Sequence, residues 1–291
     1  MKNFKNYIIM AGLFLAAFNA VAQDDTDDGG SVIQNLTPSK LIGQGQWDLK
    51  LFNNLYTQDD STFESEVGLR QNFFTSTLEV FTGISSTKRV NIGAIIEYRA
   101  NGREFRLADG SVDPNRRNTS GITSIAPSIK FVPFKNVGNF SILSAFSIPL
   151  ISDEVDEDTG VFLDQNGFTW QNRFFFDYTF PGKKWQFFSE INSELNFGDE
   201  DDSFANNSLR LTPGVFLSYF PSSKFTIQGL AQHSELLDLG NEFSQNFTAL
   251  GGGAKYQLTK ELNVEVLYTN FVRGRDTGLG ETFNLGLRAV F

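Results

Sequence analysis

The sequence predicts an all-β fold, a twelve-stranded antiparallel up-and-down β-barrel that crosses a membrane with its strands. Three observations predict it. Apolar and polar side chains alternate in runs of about ten residues from Trp47 to the last residue, the period of a strand with two unlike faces. The connections alternate between short turns and long polar loops. Within the runs, charged side chains gather on one face. Composition agrees, because 31 Phe and 26 Gly among 291 residues suit strands joined by turns.

The first strand sets Trp47, Leu49, Leu51 and Leu55 against Asp48, Lys50, Asn54 and Tyr56. The second, near residues 71–85, sets Phe74, Leu78, Val80 and Ile84 against Thr75, Thr77, Glu79 and Phe81. A turn at Ser86, Thr87 and Lys88 leads to the third, with Val90, Ile92, Ala94, Ile96 and Tyr98 opposite Asn91, Gly93, Glu97 and Arg99. Ile125, Pro127, Ile129 and Phe131 mark the fourth strand, and Phe140, Ile142, Phe146, Ile148 and Leu150 mark the fifth. The sixth and seventh, Trp170 to Phe180 and Trp185 to Phe197, flank a turn at Pro181, Gly182, Lys183 and Lys184. Leu209 to Tyr219 is the eighth, and Pro221 to Lys224 opens the ninth at Phe225. The tenth and eleventh meet at Thr259, Lys260 and Glu261, and the twelfth sets Phe283, Leu285, Leu287, Ala289 and Phe291 against Asn284, Gly286 and Arg288. Long polar loops fall near residues 57–70, 101–119, 151–166, 198–206, 234–243 and 273–281. Short turns on one side and long loops on the other are the asymmetry of a barrel with periplasmic turns and extracellular loops.

Charge placement gives the two faces their roles. On the faces predicted to point inward lie Lys50, Arg99, Lys130, Arg173, Arg210, Lys255 and Arg288, together with Asp48, Glu79, Glu97, Asp177, Glu190, Glu194 and Glu265. The opposite faces are expected to carry no charge. Seven bases against seven acids give the lumen no net field. Glu97 and Arg99 near Lys130, and Arg173 and Asp177 near Glu190 and Glu194, are expected ladders. Two readings stay open for them: a structural network that rigidifies or occludes the lumen, and a charged ladder along a narrow pore. Phe52, Phe81, Phe175, Phe188 and Phe216, also on the inward faces, favour a narrow or partly closed passage. Phe131, Phe180, Trp185, Tyr219 and Phe225 flank the short turns, while Tyr98, Trp170, Phe197, Tyr268 and Phe283 lie near the long loops, as two interfacial belts would.

The chain divides into three parts. Residues 1–22 read as a secretory signal peptide, with Lys2 and Lys5 before an apolar run and Ala20-Val21-Ala22 as a small-residue cleavage site before Gln23. Residues 23–44 form an acidic segment, expected to be flexible and periplasmic, and residues 45–291 form the barrel. Cleavage leaves 22 basic and 34 acidic side chains, a net charge of −12 that excludes nucleic acid as a natural partner.

The last ten residues, Thr282 to Phe291, read TFNLGLRAVF. They resemble the terminal strand of bacterial outer-membrane β-barrel proteins of the porin and transporter kind, with apolar side chains at Phe283, Leu285 and Leu287 and an aromatic end at Phe291. The texture of the sequence and the Ala-Gln junction are similar to barrels of the Bacteroidota. The resemblance implies outer-membrane localisation, recognition of the last strand by the barrel-assembly machinery, and contact with outer-membrane lipid and lipopolysaccharide.

Enzymatic equipment is sparse. No Cys and one His exclude thiolate and multi-histidine metal sites and a Cys nucleophile. Outer-membrane lipid hydrolases carry an outward His with Ser two positions on; here His233 is followed at that position by Glu235. No catalytic residue, metal or cofactor is expected. Acidic runs at 153–158 and 199–202 lack the spacing of a calcium loop and read as solvated loop tips. Ser144, Asn172, Ser189 and Ser193 interrupt the outward apolar rows of strands five to seven and mark a candidate face for a partner membrane protein or a second copy. The sequence thus points to a small-solute channel or transporter, with a non-conducting subunit of an outer-membrane complex as the alternative.

Overall fold

The computed structural model describes residues 39–113, 115–198, 203–240 and 242–291. The signal segment, most of the acidic leader and the acidic run at 199–202 lie outside them. Twelve strands form: β1 (Trp47–Gln58), β2 (Gln71–Gly83), β3 (Val90–Arg103), β4 (Arg117–Phe131), β5 (Phe140–Pro149), β6 (Phe168–Thr179), β7 (Trp185–Phe197), β8 (Ser208–Tyr219), β9 (Phe225–Asp238), β10 (Gln245–Gln257), β11 (Leu262–Arg275) and β12 (Glu281–Val290). Each pairs antiparallel with its neighbour in sequence, and β1 pairs with β12 to close the barrel. The closure runs from Asp48 opposite Val290 to Thr57 opposite Glu281. Trp47 and Phe291 extend it by exchanging backbone bonds of 2.7 and 3.0 Å.

A closed sheet has no edge, so its backbone groups are satisfied without water, which a bilayer requires. The apolar rows then face outward. Leu51, Ile92, Ile129, Trp170, Leu217, Val266 and Leu285 all remain exposed on the barrel wall. The aromatic ends pair across strands: Trp185 and Tyr219 lie 4.7 Å apart beside the short turns, and Tyr268 and Phe283 lie 5.4 Å apart toward the long loops.

Two details depart from the sequence expectations. β9 continues to Asp238 where a loop from 234 was expected, because Ser234 and Leu236 extend the buried row of Gln228 into the long-loop end. The outward face is also not free of charge. The β10–β11 register shifts at Thr248/Ala249, so that Ala249 opposes Phe271 and Thr248 opposes Arg273. Val272 is the extra residue, and after such a bulge every side chain changes face. Arg273 and Arg275 therefore turn outward in the rows of Thr248 and Asn246, where Glu235 also lies. The three charges sit at the long-loop rim, outside the bilayer centre where charge costs most.

Candidate functional site in the barrel lumen

The lumen is built by the inward rows. All fourteen side chains predicted to point inward lie in rows that face it, and twelve of them join ion pairs. Near the short-turn end Arg288 grips Asp48 with two bonds, Nε to Oδ1 at 2.8 Å and Nη2 to Oδ2 at 2.5 Å. Lys255 meets Glu265 at 2.6 Å, Lys50 meets Glu79 at 3.7 Å, and Arg173 bridges Glu79 at 3.6 Å and Glu190 at 2.8 Å. Toward the long loops Arg210 pairs with Glu194 at 3.4 Å, and Arg99 with Glu97 at 2.8 Å.

Two expected ladders are corrected by the register. Lys130 opposes Asn91, whereas Glu97 opposes Ser124, about 20 Å further along β4 at the usual rise per residue. Lys130 instead donates to the Lys40 carbonyl at 3.2 Å and lies 5.5 Å from the Phe175 ring centre. Arg173 does reach Glu190 across the β6–β7 pair, but Asp177, further down β6, accepts the Ser39 hydroxyl.

Ser39 and Lys40 belong to the segment before β1, and its described residues are no solvated leader. Leu41 and Ile42 are buried. Ile42 is held at both its N–H and its carbonyl by the Asn91 side chain, and Gln44 forms a parallel bridge with Gly83. Residues 39–46 thus strap the short-turn mouth.

The opposite end is narrowed by the loop between β5 and β6. Val161 and Leu163 are buried, and the inward Asn101 side chain donates to the carbonyls of Phe162 and Leu163 at 2.9 Å each. Arg99 reaches Asp164 at 2.9 Å, while Gln165 donates to Thr169 and Asn196 on the inner wall of β6 and β7. Burial, helped by the nearby Glu97 carboxylate and opposed by Arg99, pushes the Asp164 carboxyl up to about 6. Sequence reasoning missed Asn101 and Asp164. The available signal was Val161-Phe162-Leu163, an apolar triplet in an otherwise acidic loop.

Between strap and loop lies a cavity of about 440 Å³. Its wall is unequal. The ion pairs of β1, β2, β6, β7 and β10–β12 line one part, and Phe81, Ile95, Leu143, Phe175, Phe188 and Phe216 line the other, with Ala126 and Ala145 completing their apolar cluster behind them. Gly93 makes room for Phe81, since a Cβ there would stand 2.7 Å from the ring. A second aromatic file, Phe73, Tyr56, Phe271 and Phe247, stacks inside the long-loop half with ring centres 4.1 to 6.0 Å apart. Phe271 continues the inward row of Glu265 and Thr269, and the bulge at Val272 comes just after it.

The outward polar residues fall into register: Ser144 opposes Asn172, and Asn172 opposes Ser193. Ser189 lies four residues further along the same outward row of β7, opposite Phe176. The Trp170 indole donates to Ser144 at 3.0 Å. At the rim His233 lies 3.0 Å from Thr248 Oγ1 and 3.3 Å from Glu235. Among the described residues no cluster of His, Asp and Glu is placed to hold a metal.

These features define a class: a closed twelve-stranded transmembrane barrel with a partly polar, doubly constricted lumen, the fold of outer-membrane β-barrels. Solved structures share it. The COG4313 outer membrane channel from Pseudomonas putida F1 superposes with a TM-score of 0.67 at 10% identity, over 92% of this chain and 100% of that one. The β domain of the Bordetella autotransporter BrkA gives 0.56 at 12% identity, over 84% and 99%. No protein-family model and no curated protein matches the sequence.

Proposed function

We propose that the mature chain, released before Gln23, sits in the outer membrane and conducts small solutes through its lumen. The cavity of about 440 Å³ between the strap and the β5–β6 loop carries this reading. A barrel that served only as a scaffold would gain by filling that space with side chains, as eight-stranded barrels do. Paired charges keep the passage hydrated without a net field, so selectivity between anions and cations is expected to be weak. The loop carrying Asp164 and the strap at residues 39–46 set the narrow points. The terminal row of Phe283, Leu285, Leu287 and Phe291 serves insertion by the assembly machinery.

Planar-bilayer recording of the refolded chain tests the reading. Discrete conductance steps that grow when residues 156–163 are shortened support it. A folded, heat-modifiable barrel that never conducts, before or after that change, refutes it and returns the chain to the role of a subunit in a larger complex.

A further inference from the structure

Proline inside a strand removes one ladder donor and is normally confined to edges or bulges. This barrel carries two in strand interiors, Pro127 in β4 and Pro213 in β8, and at each the ladder on one side is interrupted. The β4–β5 register runs from Phe131 opposite Ile142 to Ser128 opposite Ala145 and resumes at Ile125 opposite Ile148. Ala126 and Pro127 drop out, as do Phe146 and Ser147 across from them. Beside the gap the Ser128 hydroxyl turns back onto the Ala126 carbonyl of its own strand, at 2.8 Å. At Pro213 the β8–β9 ladder likewise loses Thr212 and Pro213, but there the Thr212 and Ser234 hydroxyls meet at 3.0 Å and bridge the seam.

The seam at Pro127 has no such bridge, because Ser147 stands across from Ala126, and apart from Ser128 and Ser147 its lumen side is apolar. Toward the lumen stand Ala126 and Ala145, the smallest members of the buried apolar cluster, beside Leu143 and Phe175. Toward the bilayer a groove of about 370 Å³ opens over Pro127, Ile129, Phe146 and Trp170, with Ser128 and Ala145 also in its lining. Those last two belong to rows that face the lumen, and Leu143 and Phe175, clustered with Ala145, line the cavity itself, so this thin apolar layer separates groove from cavity. The axial way on is of the opposite character: the ion pairs of Asp48, Lys50, Glu79, Arg173 and Arg288 line it, and residues 39–46 cross it. An apolar molecule that entered the strap's side would strip water from buried charges without replacing it.

We infer that the β4–β5 seam is a lateral exit, through which a small uncharged aromatic solute passes from the lumen into the bilayer. The route runs from the stacked rings of Phe247, Phe271, Tyr56 and Phe73, past the Asp164 loop, to the apolar cluster and out between Ala126 and Phe146. The inference rests on the channel reading for passage through the lumen, and adds to it the class of solute and the direction of departure.

The chain has no cysteine, so a pair placed at Ala126 and Ser147 can be closed and reopened in the folded barrel. The control pair is placed at Thr212 and Ser234, across the bridged seam. Cells with a lipopolysaccharide outer leaflet, which retards the uncharged probe N-phenylnaphthylamine, express each form. Ala145→Phe serves as a second way to fill the seam without a disulfide. The expected result is probe uptake faster than in cells lacking the chain, lost on oxidation of the 126/147 pair and in Ala145→Phe, restored by reductant, and untouched by oxidation of the control pair. Potassium chloride conductance of the same purified proteins is expected to persist throughout. Uptake that survives both the lock and Ala145→Phe overturns the exit while retained conductance leaves the channel standing. No uptake above background in the unmodified chain also overturns it. Loss of conductance together with uptake in the locked form shows one axial route and overturns it as well.

Discussion

The Arg99 contact with Asp164 looks like a latch that acid would break, yet the energetics of the site give the opposite sign. Asp164 lies 2.9 Å from Arg99, which is already engaged by Glu97 at 2.8 Å, and its side chain is only 9% exposed. Burial outweighs the shared cation and raises its carboxyl from 3.8 to about 6. A group that holds its proton more tightly when the loop is seated stabilises that seat fully below the ordinary value. The contribution fades as pH rises through about 6. The size of the effect is about 3 kcal/mol, at about 1.4 kcal/mol for each factor of ten in proton affinity. Asp164→Asn keeps an oxygen for Arg99 and for the Gln165 N–H while discarding the charge, so it should seat the loop more firmly at neutral pH. Arg99→Met leaves Glu97 and Asp164 without their cation, and should cost about 3 to 5 kcal/mol, the usual penalty for removing one partner of a buried pair.

A cysteine at Val161, 2% exposed, reports on this directly, with one at Val155, 40% exposed on the same loop, correcting for the reactivity of thiols with pH. The ratio of maleimide labelling at 161 to labelling at 155 is expected to fall as pH drops from about 7 to about 5, and to lose that dependence in Asp164→Asn. It should rise roughly a hundredfold or more in Arg99→Met at neutral pH. Faster labelling in Asp164→Asn, or an unchanged ratio in Arg99→Met, would refute the reasoning.

Other outcomes follow from the same geometry. Arg173→Met leaves Glu190 without its cation and Glu79 with Lys50 alone, and should lower the thermal midpoint of the folded barrel and shift reversal potential toward cation preference; a midpoint and potential equal to wild type would count against the network. Deleting Phe291 removes the backbone pair with Trp47 and the end of the apolar row, and is expected to reduce heat-modifiable barrel in outer-membrane fractions. A cysteine at Ser222 should resist labelling from outside intact cells while one at Val155 labels, and the reverse pattern would invert the topology. Photo-crosslinking from position 193, in the row of Ser144 and Asn172, should yield adducts that position 217 on β8 does not, if that row meets a partner.

What the sequence made legible was whatever a period of two can carry. Asp48, Lys50 and Arg288 point inward because their neighbours at alternate positions do, and that is a local fact. The structure departs from the alternation where one residue is added or one hydrogen bond withheld. Val272 is an ordinary apolar residue in a strand, and nothing beside it announces that it opposes no one, yet its insertion turns Arg273 and Arg275 from the lumen row to the outer face of the rim. The inward dip at 161–164 was signalled by three apolar residues, but its anchors, Asn101 and Arg99, lie about sixty positions away, beyond any local pattern.

The two strand prolines sharpen the point. Pro127 and Pro213 are equally visible in the sequence and remove the same donor. What distinguishes them stands across the gap: Ser234 at one, close enough for the Thr212 hydroxyl, and Phe146 and Ser147 at the other, with alanines on the lumen side. Moving that hydroxyl pair should therefore move the seal. A Ser or Thr pair placed at Ala126 and Ser147, which already supplies one hydroxyl, is expected to close the β4–β5 seam as the natural pair closes the other. Thr212→Ala with Ser234→Ala should open the β8–β9 seam, read as new N-phenylnaphthylamine uptake that the 126/147 lock no longer abolishes. If Ala126→Thr leaves uptake unchanged while folding normally, hydroxyl bridging is not what separates the sealed proline from the open one.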